Sequence, residues 1–444
     1  MSSYAEIKAD TTNALASGEY ESAFRSFQSA IDFRTQMLDG SESQFADAFG
    51  VFAQIAEHFA ADEFVSQIRA VCGQPNDIQR LYDLGYALYE ENLPGIGATV
   101  LARADELAPG TPAVVAELVT SLEACNSCHS AVGILRKYPE LTSSAFLPAY
   151  QLAFNSAMCG DLNTLRESLS TLPQLSSGDE NDEYMTQRIR DWVHRADQVG
   201  SVSALDNQDL RGWHYVTTGG VLTHLSPHGF PDPMCGRYAM LGDSPGRVHQ
   251  GVIDLKRLAN RYDWQPTSIT PLDNRSSQIV GHAVARSLDL PLRSWTEEGS
   301  NSNTIVVAYD LSSFDDLTRY KNLREREPHQ ILFSHALCWV RSCPFAPDVV
   351  TLLHQYNTAP WDSQMRIDPD SNQTTQTEPD ERAPEQIADD ILSAEPESEG
   401  TDIADANAPA LSDDLLDAIR PFPTATPTRE NFWESSPVKS ASFR

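Results

Sequence analysis

Cys125-Asn-Ser-Cys128-His129 has the spacing of a covalent haem-attachment motif. Two thiols so placed can add to haem vinyl groups while the adjacent imidazole ligates iron. Attachment of that kind normally follows export. The opening MSSYAEIKADTTNALASGEY has neither the basic start nor the apolar core of a secretory signal. The expectation is therefore ordinary packing in a turn between helices, with no cofactor. A second cluster is His224-Leu-Ser-Pro-His228 with Asp232 and Cys235, two imidazoles and a soft donor that could hold zinc. A third is His335 with Cys338 and Cys343. Both lie outside any helix that would fix ligand geometry, so loop packing is expected and no metal is assigned. The remaining candidates are Asp273, Arg275, Ser276, Asp310, Ser312 and His335. Arg275 near two hydroxyls suits an anionic group, and two acids suit a ribose or a metal-bridged phosphate. Asp and Ser also cap helices, which is the competing reason for their presence. No G-x-G-x-x-G, Walker loop, G-x-S-x-G or H-E-x-x-H occurs.

These candidates need elements to carry them. Trp213–Thr217, Gly220–His224, Ser268–Leu272, Leu292–Trp295, Thr304–Tyr309 and Gln330–His335 read as strands. Arg247–Tyr262, Asp273–Leu288, Ser312–Glu325 and Pro347–Gln355 read as helices. The alternation implies an open, largely parallel α/β sheet over residues 205–357, with ligands expected at the carboxyl ends of its strands. Leu288-Asp-Leu-Pro-Leu292 before one strand, and Asp310 ending another, faintly resemble a phosphoribosyltransferase. That family carries paired acids and a Thr/Gly-rich phosphate loop at this point. Here Asp310 is followed by Leu311-Ser-Ser-Phe314, without a second acid or a glycine, so the phosphate nest is missing.

Residues 1–175 carry a different signal. Leu81, Leu84, Gly85, Leu88, Gly97, Leu101, Ala104 and Pro109 recur 34 residues later as Val115, Leu118, Val119, Leu122, Ala131, Leu135 and Tyr138. A further 34 gives Ala149, Leu152, Ala153, Ser156, Leu165, Leu169 and Leu172. Each frame breaks into two apolar runs around a short turn, the pattern of an antiparallel helix pair. Gly18-Glu-Tyr20 through Ala30 has the same character, and a 40-residue unit built on Phe45, Phe49, Phe52, Phe64 and Ile68 fills the interval. The spacing and residue types resemble the tetratricopeptide (TPR) repeat family over roughly residues 4–175. The resemblance implies an α-solenoid whose concave surface binds a protein or peptide partner.

Charge divides the 444 residues the same way. Residues 1–204 hold 28 acids and 12 bases, 205–357 hold 16 and 14, and 358–444 hold 19 and 6. A net charge of -31 repels phosphate backbones and anionic lipid, which disfavours nucleic acid as a partner. No apolar stretch is long enough to span a membrane. Seven cysteines without a signal suit reduced thiols in the cytoplasm. The segment 176–204 reads as linker and helix. Residues 358–444, rich in Pro, Ser, Thr and acids, read as a disordered acidic tail with apolar islands at Leu411–Ile419 and Phe432-Trp433. Together these features lead to an interaction scaffold or adaptor. The alternative is an enzyme or small-ligand sensor, of nucleotide or sugar-phosphate type, with the α/β domain as its active module.

Overall fold

The computed structural model describes residues 3–227, 234–297, 301–314, 316–367, 374–397, 411–419 and 427–440. Helices α1 (Tyr4–Ala16), α2 (Tyr20–Ile31), α3 (Glu42–Ala56), α4 (Asp62–Gly73), α5 (Ile78–Glu90), α6 (Pro94–Leu107), α7 (Pro112–Ala124), α8 (Cys128–Lys137), α9 (Pro139–Ser144), α10 (Phe146–Met158) and α11 (Leu162–Leu175) follow one another without a strand. Helices α5, α7 and α10 begin at 78, 112 and 146; α6, α8 and α11 begin at 94, 128 and 162. Both series step by 34 residues. The turns repeat as well: Asn92, Asn126 and Gly160, again 34 apart, all take the left-handed conformation, with φ of 60°, 58° and 78°. Asn and Gly reach that region at least cost, so the residue types stop each first helix at the same point. Asp77 and Asp161 cap α5 and α11, and Pro94 and Pro112 occupy the first turns of α6 and α7. A Cβ on Gly85 would collide with the Leu101 side chain, so the glycine sets how closely α5 and α6 approach. Ala104 is fully buried in the same pair.

The chain divides into two compact units, residues 1–189 and 190–444, and α12 (Glu180–Val199) runs from the first into the second. The second unit contains α13 (Leu210–Thr218), β1 (Val221–Leu222), β2 (Tyr238–Gly242), α14 (Pro245–Arg261), β3 (Ser268–Pro271), α15 (Arg275–Leu288), β4 (Thr304–Asp310), β5 (Ile331–Cys338), β6 (Val349–Thr358), β7 (Met365–Ile367), β8 (Thr374–Gln376), α16 (Pro384–Ser393) and α17 (Asp413–Ala418). Strands β1-β6-β5-β4-β3 lie side by side, β2 joins β6 beyond β1, and every pairing in this sheet is parallel. β3, β4 and β5 are buried along their length, as the β-branched runs require of a doubly covered parallel sheet. α14 packs on β5 and β6, and α15 on β3 and β4.

Several elements differ from the sequence expectation. Trp213–Thr217 is not a strand but part of α13, because Asp209 accepts from the Gly212 amide to start a helix and Gly219 ends it at φ 75°. Pro347–Gln355 is not a helix but β6, whose Val349-Val-Thr351 start is β-branched. Asp348, just ahead of it, is an ion-pair centre. Ser312–Glu325 forms only two 3-10 segments, Leu311–Ser313 and Thr318–Leu323, and Leu292–Trp295 only one bridge, Leu292 to Ile269. β2 was not anticipated.

The tail departs most from expectation. Residues 368–373, 398–410, 420–426 and 441–444 lie outside the described residues, but described stretches of the tail pack within the sheet unit. α16 buries Ile387, Ala388 and Ile391, and α17 buries Leu416. Asp413 accepts from Arg257 and Arg261 of α14 at 2.7 Å, and Asp389 pairs with Arg286 of α15. Acids that look like a disordered composition therefore meet the bases that make residues 205–357 nearly neutral. Further on, Arg429 is 2% exposed and holds Asp348 through Nε (3.1 Å) and Nη2 (2.7 Å), while Arg326 holds the other carboxylate oxygen at 2.5 Å. Phe432 exchanges two backbone hydrogen bonds with Cys343 at 2.9 Å.

Candidate functional site

An open groove of about 510 Å³ lies in the helical unit along α4 and α5. Glu63, Phe64 and Gln67 line it from α4, with Ala61 ahead of them; Tyr82, Asp83, Tyr86, Ala87 and Glu90 line it from α5, with Glu91 just beyond. The α5 residues fall at helical spacing and so share one face. Phe64 and the two tyrosines supply apolar surface, and Tyr86 is 47% exposed. Four of the lining residues are carboxylates and none is a base. The Tyr82 phenol is pushed up, first by burial and then by the charges of Glu117 and Asp83. Tyr89 on the same helix is raised likewise, by burial and by Glu123, Glu90 and Glu117. The groove thus offers aromatic faces under a negative field, an arrangement that attracts cationic groups carrying apolar stems.

The strand-end candidates go to separate places. Asp273 pairs with Arg319 at 3.0 Å at the surface. Arg275 donates to the Asp380 and Arg382 carbonyls, and Ser276 accepts from Trp361 Nε1 at 2.9 Å, so both hold the chain after β6. Asn274, not Asp273, caps α15, accepting from the Ser277 amide at 2.7 Å. Asp310 accepts from Ser312 Oγ (2.6 Å) and lies 2.9 Å from His354 Nε2. His335 lies elsewhere, stacked on Tyr309 and 3.0 Å from Asp243. Tyr309 and Asp310 are neighbours in one strand and face opposite sides of the sheet, so Asp310 and His335 do not share a site.

Asp243, just past β2, is the centre of a polar cluster that sequence reasoning missed. It accepts from Tyr309 OH at 2.9 Å, Arg247 Nη1 at 3.1 Å and the Ser244 amide at 2.8 Å. Burial alone would raise its pKa, but the His335 and Arg247 charges and these bonds outweigh burial and hold it at about 2. Burial of Asp310 is likewise outweighed by His354 and Ser312, and its carboxyl stays below the usual range. Both clusters are closed: Asp243, His335 and His354 are all under 5% exposed, and a Cβ on Gly251 would press on His335 and Thr351. The signal that could have found Asp243 is its position, an acid directly after a short β-like run.

The described members of the metal-type clusters make other contacts. His224 Nε2 meets Tyr238 OH at 2.8 Å, Cys235 is buried, and His228 and Asp232 lie outside the described residues. Cys338 and Cys343 donate to the Gln355 and Phe345 carbonyls, away from His335. In the Cys125–His129 run, Asn126 makes the left-handed turn, both thiols are buried, and His129 Nδ1 lies 2.8 Å from Cys159 Sγ. Among the described residues no three His, Cys, Asp or Glu side chains are grouped to hold a metal, and no helix is long and apolar enough to cross a membrane. No protein-family model matches the chain, and no curated protein matches it.

Proposed function

We propose that this chain is a protein-interaction scaffold whose helical unit is a TPR-like α-solenoid. It takes a partner segment of basic residues interspersed with apolar ones in the α4–α5 groove. The observation that carries this reading is the groove itself, an aromatic floor ringed by Glu63, Asp83, Glu90 and Glu91 without a compensating base. The 34-residue step of helices and turns supports the repeat assignment. Seven unbridged thiols fit a reducing, cytoplasmic setting. The test is fluorescence anisotropy of the full chain with labelled ten-residue peptides of alternating Arg/Lys and Leu/Phe, against a Glu/Asp version of the same pattern. The basic peptide should bind and weaken with salt, the acidic peptide should not bind, and Asp83→Lys with Glu90→Lys should abolish binding. Equal binding of both peptides, or binding indifferent to the double charge reversal, would exclude this groove as the docking surface.

A further inference from the structure

Arginines withdrawn from solvent in the sheet unit are satisfied to different degrees. Arg429 meets the Asp348 carboxylate and two groups of Gln330. Arg247 meets Asp243 and Glu397. Arg237, in the turn before β2, is 4% exposed and makes one side-chain hydrogen bond, from Nη2 to the Val438 carbonyl at 3.0 Å. Its other contact is the Trp339 ring, 5.5 Å away. No carboxylate among the described residues forms an ion pair with it, and its Nη1 has no partner. A guanidinium taken out of water without a counter-charge is costly, so the site as drawn is electrically incomplete.

That guanidinium lines a cavity of about 30 Å³ together with His214, Thr218, Trp339 and the chain at Phe432–Ser436. His214, on α13, is 5% exposed, and its Nε2 is also buried without a partner. Arg237 and His214, both more than nine-tenths buried and each with a nitrogen that has nothing to bond, thus line the same small space. The volume exceeds the ~10–15 Å³ needed for one water and is roughly that of two. Glu434 is the one carboxylate among the lining residues.

We propose that this cavity is a binding site for a small monovalent anion of halide size, held by Arg237 and His214. Arg237 supplies the positive charge and an Nη1 donor, and a neutral His214 supplies a ring N–H. Trp339 and Phe432 form apolar walls that favour a weakly hydrated ion over a larger oxyanion. The environment agrees with a missing negative charge. Burial pushes the Arg237 guanidinium down to about 10. Burial, and then the Arg237 charge, push the His214 imidazole down to about 4. The anion would tie the turn before β2 to residues 432–436 of the C-terminal segment, and so stabilise the docked form of that segment.

The experiment uses the full chain at neutral pH and fixed ionic strength, replacing gluconate stepwise with chloride, bromide or sulfate while melting is followed. Chloride and bromide should raise Tm along a saturating curve, and sulfate should not. In Arg237→Gln the halide dependence should vanish. If that variant does not fold, crystals of the wild-type chain soaked in bromide give the answer directly, through an anomalous peak beside Arg237 Nη1. A Tm indifferent to halides, a halide response that survives in Arg237→Gln, a response to sulfate alone, or a bromide map empty at Arg237 would each overturn the assignment.

Discussion

The helical unit and the sheet unit solve the same problem with contacts of opposite range. In the first, the decisive features are local and repeated: a cap or proline to start, Asn or Gly at positive φ to turn, and a small residue such as Gly85 where two helices touch. In the second, they are single polar bonds between distant residues. Arg429 reaches Asp348 across 81 positions, His335 reaches Asp243 across 92, and Arg257 reaches Asp413 across 156. Repetition spreads stability over many equivalent apolar contacts, whereas the sheet unit adds to its apolar core a few polar pairs between distant residues that fail when one partner is lost. The two units should therefore fail differently.

The sharpest way to expose that difference is Asp348→Ala. It leaves Arg326 and Arg429 buried without their common carboxylate and should cost the sheet unit about 3–5 kcal/mol in chemical denaturation. Residues 427–440 should become accessible to protease in the same variant. In the helical unit, Ala104→Glu forces a carboxylate into a fully buried helix contact and should cost about 2–3 kcal/mol there, while leaving the sheet unit unchanged. If either substitution destabilises both units equally, the contrast drawn here fails.

That contrast also explains what was legible in the sequence. The period of 34 was visible because every contact enforcing it lies within a few turns of chain, and Gly85, Leu101 and Ala104 could be named in advance. Strands β3, β4 and β5, and helices α14 and α15, were visible for the same local reasons. The pairing of Asp348 with Arg429 was not legible, because Arg429 lies far away in a segment whose composition looked disordered. α13 was misread because its aromatic run hides a helix set by Asp209 and Gly219. Asp310 and His335 were grouped because both close strands, yet the alternation of side chains puts them on opposite faces. The groove was legible only as an acidic excess, since its shape depends on how α4 packs beside α5.

Acidification should separate the units as well. His214 and His224 are held at about 4 and about 3, mainly by burial, against 6.5 when free. The unfolded chain takes up protons first, so sheet-unit stability falls as pH drops below about 6.5. Asp243, at about 2 against 3.8, adds a loss that begins near pH 4 and is complete only below about 2. In the helical unit, burial raises half-buried Glu123 to about 7 from 4.5. Its folded form binds the proton first, so that unit gains stability as pH falls from 7 toward 4.5. Hydrogen exchange of the intact chain between pH 7 and pH 5, corrected for intrinsic rates, should show protection falling in β4–β6 and holding or rising in α5–α10. The same direction of change in both units would contradict these assignments.

The smallest effect on stability is expected in the groove. Tyr86 is half exposed, so Tyr86→Ala should shift the denaturation midpoint by less than about 0.5 kcal/mol while weakening any bound basic segment. The most direct test of the scaffold reading is hydrogen exchange on the full chain with and without the basic, apolar-spaced peptide. New protection should appear over residues 61–91, where α4 and α5 form the groove, and should be absent in the variant carrying Asp83→Lys and Glu90→Lys. Peptide-dependent protection that leaves residues 61–91 unchanged and appears in residues 190–444 would contradict the account.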